Sequence, residues 1–341
     1  MSATLFRYDK LEEAEFDAIA DTRPETRIPL EQTPAWARFE AALGRQPFGT
    51  WAYRDSNGTL VATASFLRIQ RRFRESLVVV NGPVWFSERT PAAERVLMHT
   101  LRQQFRADDD ASPLYVRMQV ATLQPPATGP LEHGWYEREI VVDLRPEEEA
   151  LLAGFRPNAR NSIRRARKEG VEIRNIPQGE WTAVFRTELF PILQETAERD
   201  AFQSFDSSYY ETFLTQLAGY AGLLVAYSEG KATSWLITTQ YRGHAVYYFA
   251  GSTLDARRTF APYLLLWEAF RALKAAGATS CGLTGIVSEN YPQLINVTTF
   301  KRNFSKNVVT IPTTYDIPLH PLRYRALAAV LDVRRKRSSH G

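Results

Sequence analysis

Two stretches of this sequence carry the same order of structural elements, and that repetition narrows the folds open to the chain more than any single motif does. In the first stretch the patterning predicts a short helix over 33–43, capped by Thr33 with Pro34 in its first turn. Strands over 49–53 and 60–69 then flank the turn Asp55-Ser56-Asn57-Gly58, and a strand over 77–80, a helix over 91–105 and a strand over 114–120 follow. In the second stretch, helices over 181–199 and 208–218 precede strands over 223–227, 232–240 and 245–250. A helix over 261–276 keeps Tyr263, Leu266, Trp267, Phe270 and Leu273 on one face and stops at Gly277, before an apolar run at 279–283. Helix, hairpin, strand, helix, strand thus occurs twice, which predicts a structural duplication with its seam around 145–154. Two domains also suit 341 residues, since one domain takes roughly 150. The expected division is 1–145, 146–325 and a basic tail over 326–341.

The chemistry open to the chain is narrow. One cysteine, Cys281, excludes an intramolecular disulfide and a cysteine-based zinc cluster, and fits a reducing compartment. The charged N-terminus with Arg7, Asp9 and Lys10 lacks a following apolar stretch, and no window approaches the roughly 18 apolar residues of a membrane span. A soluble cytoplasmic protein is the expectation. The histidines, His99, His133, His244, His320 and His340, form no pair at helical or turn spacing, so neither a metal site nor a histidine triad is expected. Neither G-x-x-x-x-G-K-[ST] nor G-x-G-x-x-G occurs, so the phosphate cradles of nucleotide hydrolysis and dinucleotide redox chemistry are missing. Direct transfer from an already activated donor remains, a reaction in which the protein positions two substrates and stabilises developing charge. The formal charge is only +4, but the basic residues cluster at Arg156, Arg160, Arg164, Arg165, Arg167, Lys168 and Arg174, and again at Arg334, Arg335, Lys336 and Arg337. Charge of that density suits phosphate, or simply a solvated face.

The element order of the second half resembles an N-acetyltransferase (GNAT) domain. The loop that cradles the pyrophosphate of coenzyme A in that fold is replaced here by Arg258-Thr259-Phe260-Ala261-Pro262-Tyr263, in which Pro262 offers no N–H and two aromatic rings crowd the backbone. A closer resemblance runs in order along the chain. Asn81-Gly82-Pro83-Val84, the run Phe155 to Val171 with Arg160-Asn161-Ser162-Ile163-Arg164-Arg165-Ala166, Glu195-Thr196-Ala197-Glu198-Arg199-Asp200-Ala201-Phe202, Ala261-Pro262-Tyr263-Leu264-Leu265-Leu266-Trp267-Glu268-Ala269, Cys281-Gly282-Leu283-Thr284-Gly285-Ile286 and Phe300-Lys301-Arg302-Asn303-Phe304 together resemble the FemABX peptidyltransferases. These motifs span about two-thirds of the chain.

The resemblance implies an α/β fold of two tandem GNAT-like domains, mixed twisted sheets flanked by helices. It is similar to the compact FemX-like members that lack a long helical-hairpin insertion. It further implies an aminoacyltransferase that needs no cofactor, with aminoacyl-tRNA as co-substrate and a small amine, peptide or muropeptide as acceptor. Lys301 is the implied catalytic residue, stabilising charge at the tRNA terminus; the plain alternative is a surface lysine on a terminal strand. Phe300 would stack on the terminal adenine, or else belong to the core of that strand. Arg302 and the basic stripe of Arg160, Arg164 and Lys168, at four-residue steps and joined by Arg165, would follow the tRNA backbone. Tyr209, Tyr248 and Phe205 are the implied acceptor contacts, with Arg38 a weaker candidate. Phe205 stands where the family carries an arginine for the uridine diphosphate of a wall precursor, which favours a natural-product or peptide acceptor over a peptidoglycan precursor. An acyl-CoA-dependent N-acyltransferase and a non-catalytic RNA- or peptide-binding module remain as other readings.

Overall fold

The computed structural model describes residues 4–71, 74–106, 112–131 and 136–338, without the side chains of 334–338. His133 and His340 therefore lie outside the described residues, as do the side chains of Arg334, Arg335, Lys336 and Arg337. The chain divides into two units, Met1–Trp135 with Pro312–Gly341, and Tyr136–Ile311.

Unit 1 opens with β1 (Arg7–Leu11) and α1 (Glu13–Thr22). In α2 (Pro34–Ala42) the side chain of Thr33 accepts from the Trp36 N–H and Pro34 fills the first turn, as the spacing predicts. The hairpin β2 (Gln46–Arg54) and β3 (Leu60–Arg71) turns through Asp55, whose carboxylate accepts from the N–H groups of Asn57 and Thr59. β4 (Arg74–Val78), β5 (Val84–Trp85), α3 (Pro91–Phe105) and β6 (Tyr115–Gln119) follow. β3 and β4 run antiparallel, α3 crosses over, and β6 returns parallel to β4. Tyr53, Phe66, Leu77, Leu97, Met98, Leu101 and Val116 fill the core between sheet and helix.

Unit 2 begins with β7 (Arg138–Asp143), α4 (Glu148–Gly154), α5 (Pro157–Lys168) and β8 (Glu172–Asn175). The predicted helix over 181–199 is instead α6 (Trp181–Val184), a π-helical turn at Phe185–Leu189, and α7 (Phe190–Asp200). Pro191 has no N–H for the carbonyl four residues earlier, and the wider turn, closed by Phe190 N–H on Phe185 O, accommodates it. The Leu189 carbonyl accepts from the buried Trp235 indole at 3.0 Å. After α8 (Ser207–Gln216), the strands β9 (Ala221–Ser228), β10 (Lys231–Tyr241) and β11 (His244–Ser252) lead through α9 (Leu254–Arg258) and α10 (Ala261–Ala275) to β12 (Ser280–Gly285). β10 and β11 are antiparallel, α10 crosses over, and β12 lies parallel to β11, the same scheme as unit 1. α11 (Ile295–Lys301) and β13 (Val308–Thr310) complete the unit, whose sheet runs β13-β7-β12-β11-β10-β9-β8. The two GNAT-like sheets expected from the sequence are present, and among the described residues no pair of long helices interrupts unit 2.

The unit boundaries differ from the expected ones for a reason of strand pairing. β7 precedes the expected seam but bonds to β12 in the second sheet. β14 (Thr314–Pro318), expected in the second domain, pairs with β6 in the first. The expected tail over 326–341 likewise corrects to a helix, α12 (Pro321–Ser338), over the described residues. It is held by Tyr324, whose hydroxyl shares its one proton between Asp316 Oδ2 at 2.8 Å and Gly129 O at 2.9 Å. The fully buried Asp316 also takes a two-pronged bond from Arg117 at 2.7 and 3.0 Å. Among the described residues no helix is long and apolar enough to cross a membrane, and no group of three or more His, Cys, Asp or Glu is arranged to hold a metal ion.

Candidate active site

The site forms where two parallel strands part. β11 and β12 are in register only from His244↔Ser280 to Val246↔Gly282, and beyond that point both continue without pairing to each other. A backbone that leaves its ladder must satisfy its polar groups elsewhere. Lys301 does so, donating to Gly285 O at 2.7 Å and to Thr284 Oγ1 at 3.2 Å. It is the last residue of α11, not part of a strand, and only 6% exposed, so the surface-strand alternative is corrected on both counts. α11 is anchored one turn earlier by Thr298, whose hydroxyl accepts from the Val287 N–H at 2.8 Å. Burial draws the Lys301 ammonium down from 10.5 to about 7, against the opposing pull of Glu139. Its nitrogen lies 6.0 Å from the centre of the Tyr247 ring.

Phe300, also on α11, is half-buried, with its ring edge-on to Tyr263 at 5.0 Å and Phe304 at 5.2 Å. Beneath it Asn158 and Asn303 both reach the Tyr263 hydroxyl, at 3.2 and 3.4 Å. Arg302 is exposed beside this cluster.

α5 presents the basic stripe. Its Ala159 and Ala166 are fully buried and Ile163 nearly so, which leaves the opposite face to charge. Arg164, Arg165 and Lys168 are exposed, and the Arg165 guanidinium lies 4.3 Å from the centre of the Phe260 ring. Arg160 differs. Its guanidinium donates to Ala153 O and Phe155 O, closing the C-terminal end of α4.

Phe260 is the left-handed cap of α10, at φ 59°. Around it the backbone is already engaged, with Thr259 N–H on Asp255 O, Phe260 N–H on Arg257 O and Tyr263 N–H on Phe260 O, while Pro262 has no N–H.

The acceptor candidates of unit 2 form a second cluster. The Phe205 ring, 46% exposed, stacks on Tyr209 at 4.0 Å, and Tyr209 in turn meets Tyr210 and Phe249. Tyr248 joins through Phe213 at 5.0 Å and Phe249 at 4.9 Å. β11 carries one more residue than β10 between Ile237↔Phe249 and Thr238↔Tyr247, and this bulge brings Tyr248 and Phe249 to the aromatic cluster while Tyr247 meets Lys301. Arg38, in unit 1, is engaged by Glu13 in a two-pronged pair at 2.6 and 2.7 Å.

The structure therefore joins Lys301 with Phe300 and Arg302, joins Arg164, Arg165 and Lys168 on one helix, and joins Phe205, Tyr209 and Tyr248 in one cluster. Sequence reasoning missed Glu139 and Tyr247. A lone carboxylate at the start of an apolar strand reads as solvated, and a tyrosine among alternating apolar residues reads as core.

The FemAB family model matches residues 128–241 and 236–331, together more than half of the chain. Among solved structures, a crystal structure of FemX matches with a TM-score of 0.74 at 13% identity, over 94% of this chain and 100% of that one. A conserved protein of unknown function from Bacteroides thetaiotaomicron matches with a TM-score of 0.51 at 9% identity, over 92% and 99%. No curated protein sequence matches the chain. The FemX likeness speaks for the fold, and the family model, which spans Lys301 and both sides of the parted strands, speaks for the lineage: the chain belongs to the FemAB family.

Proposed function

We propose that this transferase takes an aminoacyl group from charged tRNA and joins it to an amine of a small peptide or natural-product acceptor. The observation that carries the reading is Lys301: a buried ammonium held by Gly285 and Thr284 where β11 and β12 part, in a chain of the FemAB family. In the reaction the acceptor nitrogen attacks the ester carbonyl, a C–N bond forms, and the C–O bond to the ribose breaks. The amine proton ends on the ribose oxygen, so atoms and charge balance without a cofactor. A cation beside the carbonyl oxygen or the leaving ribose oxygen stabilises the charge that develops there. The half-buried Phe300 ring suits stacking on a terminal base, worth about 1–3 kcal/mol. Arg302, Arg164, Arg165 and Lys168 supply charge for the phosphates. A coenzyme A donor is disfavoured because the N–H groups of Thr259, Phe260 and Tyr263 are engaged at the turn before α10, Pro262 has none, and the Phe260 ring stands there.

Phe205 stacked on Tyr209 offers the acceptor a ring face where a diphosphate would need a cation, which favours a peptide or natural product over a nucleotide-linked muropeptide. The test incubates the protein with a pool of charged tRNAs and candidate amines, and identifies the conjugate by mass spectrometry. An amide carrying one amino acid is expected, and Lys301→Ala should lower its rate by at least about 100-fold. If no aminoacyl group leaves any tRNA, the reading fails.

A further inference from the structure

β12 is irregular where it meets Lys301. It pairs with β7 at Gly282↔Val141 and again at Gly285↔Glu139, three steps on β12 opposite two on β7. Within the extra step Thr284 has φ 58°, a left-handed conformation that a β-branched residue rarely adopts. Strain of this kind persists where the surroundings demand it. Here it accompanies the convergence of Gly285 O and Thr284 Oγ1 on one ammonium.

Directly across the ladder from Gly285 stands Glu139, only 5% exposed. A Cβ at Gly282 would lie 2.9 Å from its Oε2, so β12 omits a side chain at the place where the carboxylate lies. The negative charge acts on two buried neighbours. It opposes the desolvation of Lys301, and it adds to the burial that pushes the Cys281 thiol up to about 12. Among the described residues, Lys301 meets the charge of Glu139 from β7, the Tyr247 ring from β11, and Thr284 and Gly285 from β12. Tyr247 is itself kept protonated by burial, which raises its hydroxyl well above the usual range. Among the described residues, Glu139 is the anion whose charge acts on Lys301.

We infer that Glu139 is a positioning residue of the Lys301 site, a buried carboxylate lodged over Gly282, across the ladder from Gly285, that favours the charged form of the ammonium and its place against Gly285 and Thr284. The inference rests on the cationic role of Lys301 proposed above.

The full chain labelled with ¹⁵N-lysine is titrated by NMR, with Lys301→Met identifying the resonance. Glu139→Gln should lower the Lys301 midpoint by about one unit or more. The alkaline limb of kcat/KM for amide formation should move down by the same amount, with activity recovered at lower pH. Glu139→Asp should restore both in part. A merely structural Glu139 would lose activity equally at every pH and leave the midpoint where it was, and that outcome overturns the inference. Should Glu139→Gln not fold, Gly282→Ala displaces the carboxylate while keeping its charge, and an unmoved midpoint there is equally decisive. A midpoint that moves while the kinetic limb stays fixed would instead overturn the cationic role of Lys301.

Discussion

Lys301 is kept at a cost to stability, and the cost has a pH signature. The unfolded chain holds this proton up to the ordinary lysine range near 10.5, whereas the folded chain releases it at about 7. Between those values the unfolded state binds more protons, so Lys301 makes the fold more stable as pH rises from 7 to 10.5 and least stable below 7. Lys301→Met should therefore abolish transfer yet raise the melting temperature at pH 6.5, with the advantage shrinking toward pH 10. Melting curves at the two pH values check this. Transfer itself should decline as pH rises through the Lys301 titration, with the limb moved upward in the presence of the anionic RNA. At the acceptor cluster, Phe205→Ala removes an exposed ring stacked on Tyr209, and should raise the acceptor KM several-fold while leaving the affinity for tRNA unchanged. Lys301 was legible because its motif is local. Glu139 was not, because its partner lies 162 positions away and only the β7–β12 pairing brings the two together.

Among the elements, α5 shows how a periodic pattern conveys a face without the fate of each residue on it. The four-residue spacing of Arg160, Arg164 and Lys168 marks one helical stripe, but Arg160 is spent on the carbonyls that end α4. Arg164→Ala and Lys168→Ala should each weaken RNA binding and reduce the slope of log K against log salt by about 0.7–0.9 per lost phosphate contact. Arg160→Ala should lower the melting temperature and leave that slope alone. Filter binding across a salt series separates the two behaviours. The helices and hairpins were legible from caps, turns and spacing. The π-helical turn at Phe185–Leu189 and the β11 bulge were not, because Pro191 and the Trp235–Leu189 bond act through packing that no local window contains.

At the scale of the whole chain, the duplication read from element order is present, while its seam is not where order alone put it. Each sheet receives its last antiparallel partner from a segment beyond the repeated block, β14 beside β6 and β7 beside β12. Sequence order carries no information about such returns. The return to unit 1 is secured at Asp316, where Arg117, Tyr324 and the Leu131 N–H converge on one buried carboxylate. Asp316→Ala would remove the buried carboxylate on which Arg117, Tyr324 and the Leu131 N–H converge, and should destabilise the protein by about 3–5 kcal/mol, measurable by urea unfolding. The donor is decided by one competition between activated esters. Wild-type protein is given the same amino acid twice, as the ester of its tRNA and as a coenzyme A thioester, with the acceptor in excess, and alkali-stable amide is counted over time. Amide is expected from the tRNA ester and none from the thioester; amide from the thioester alone would contradict a tRNA donor.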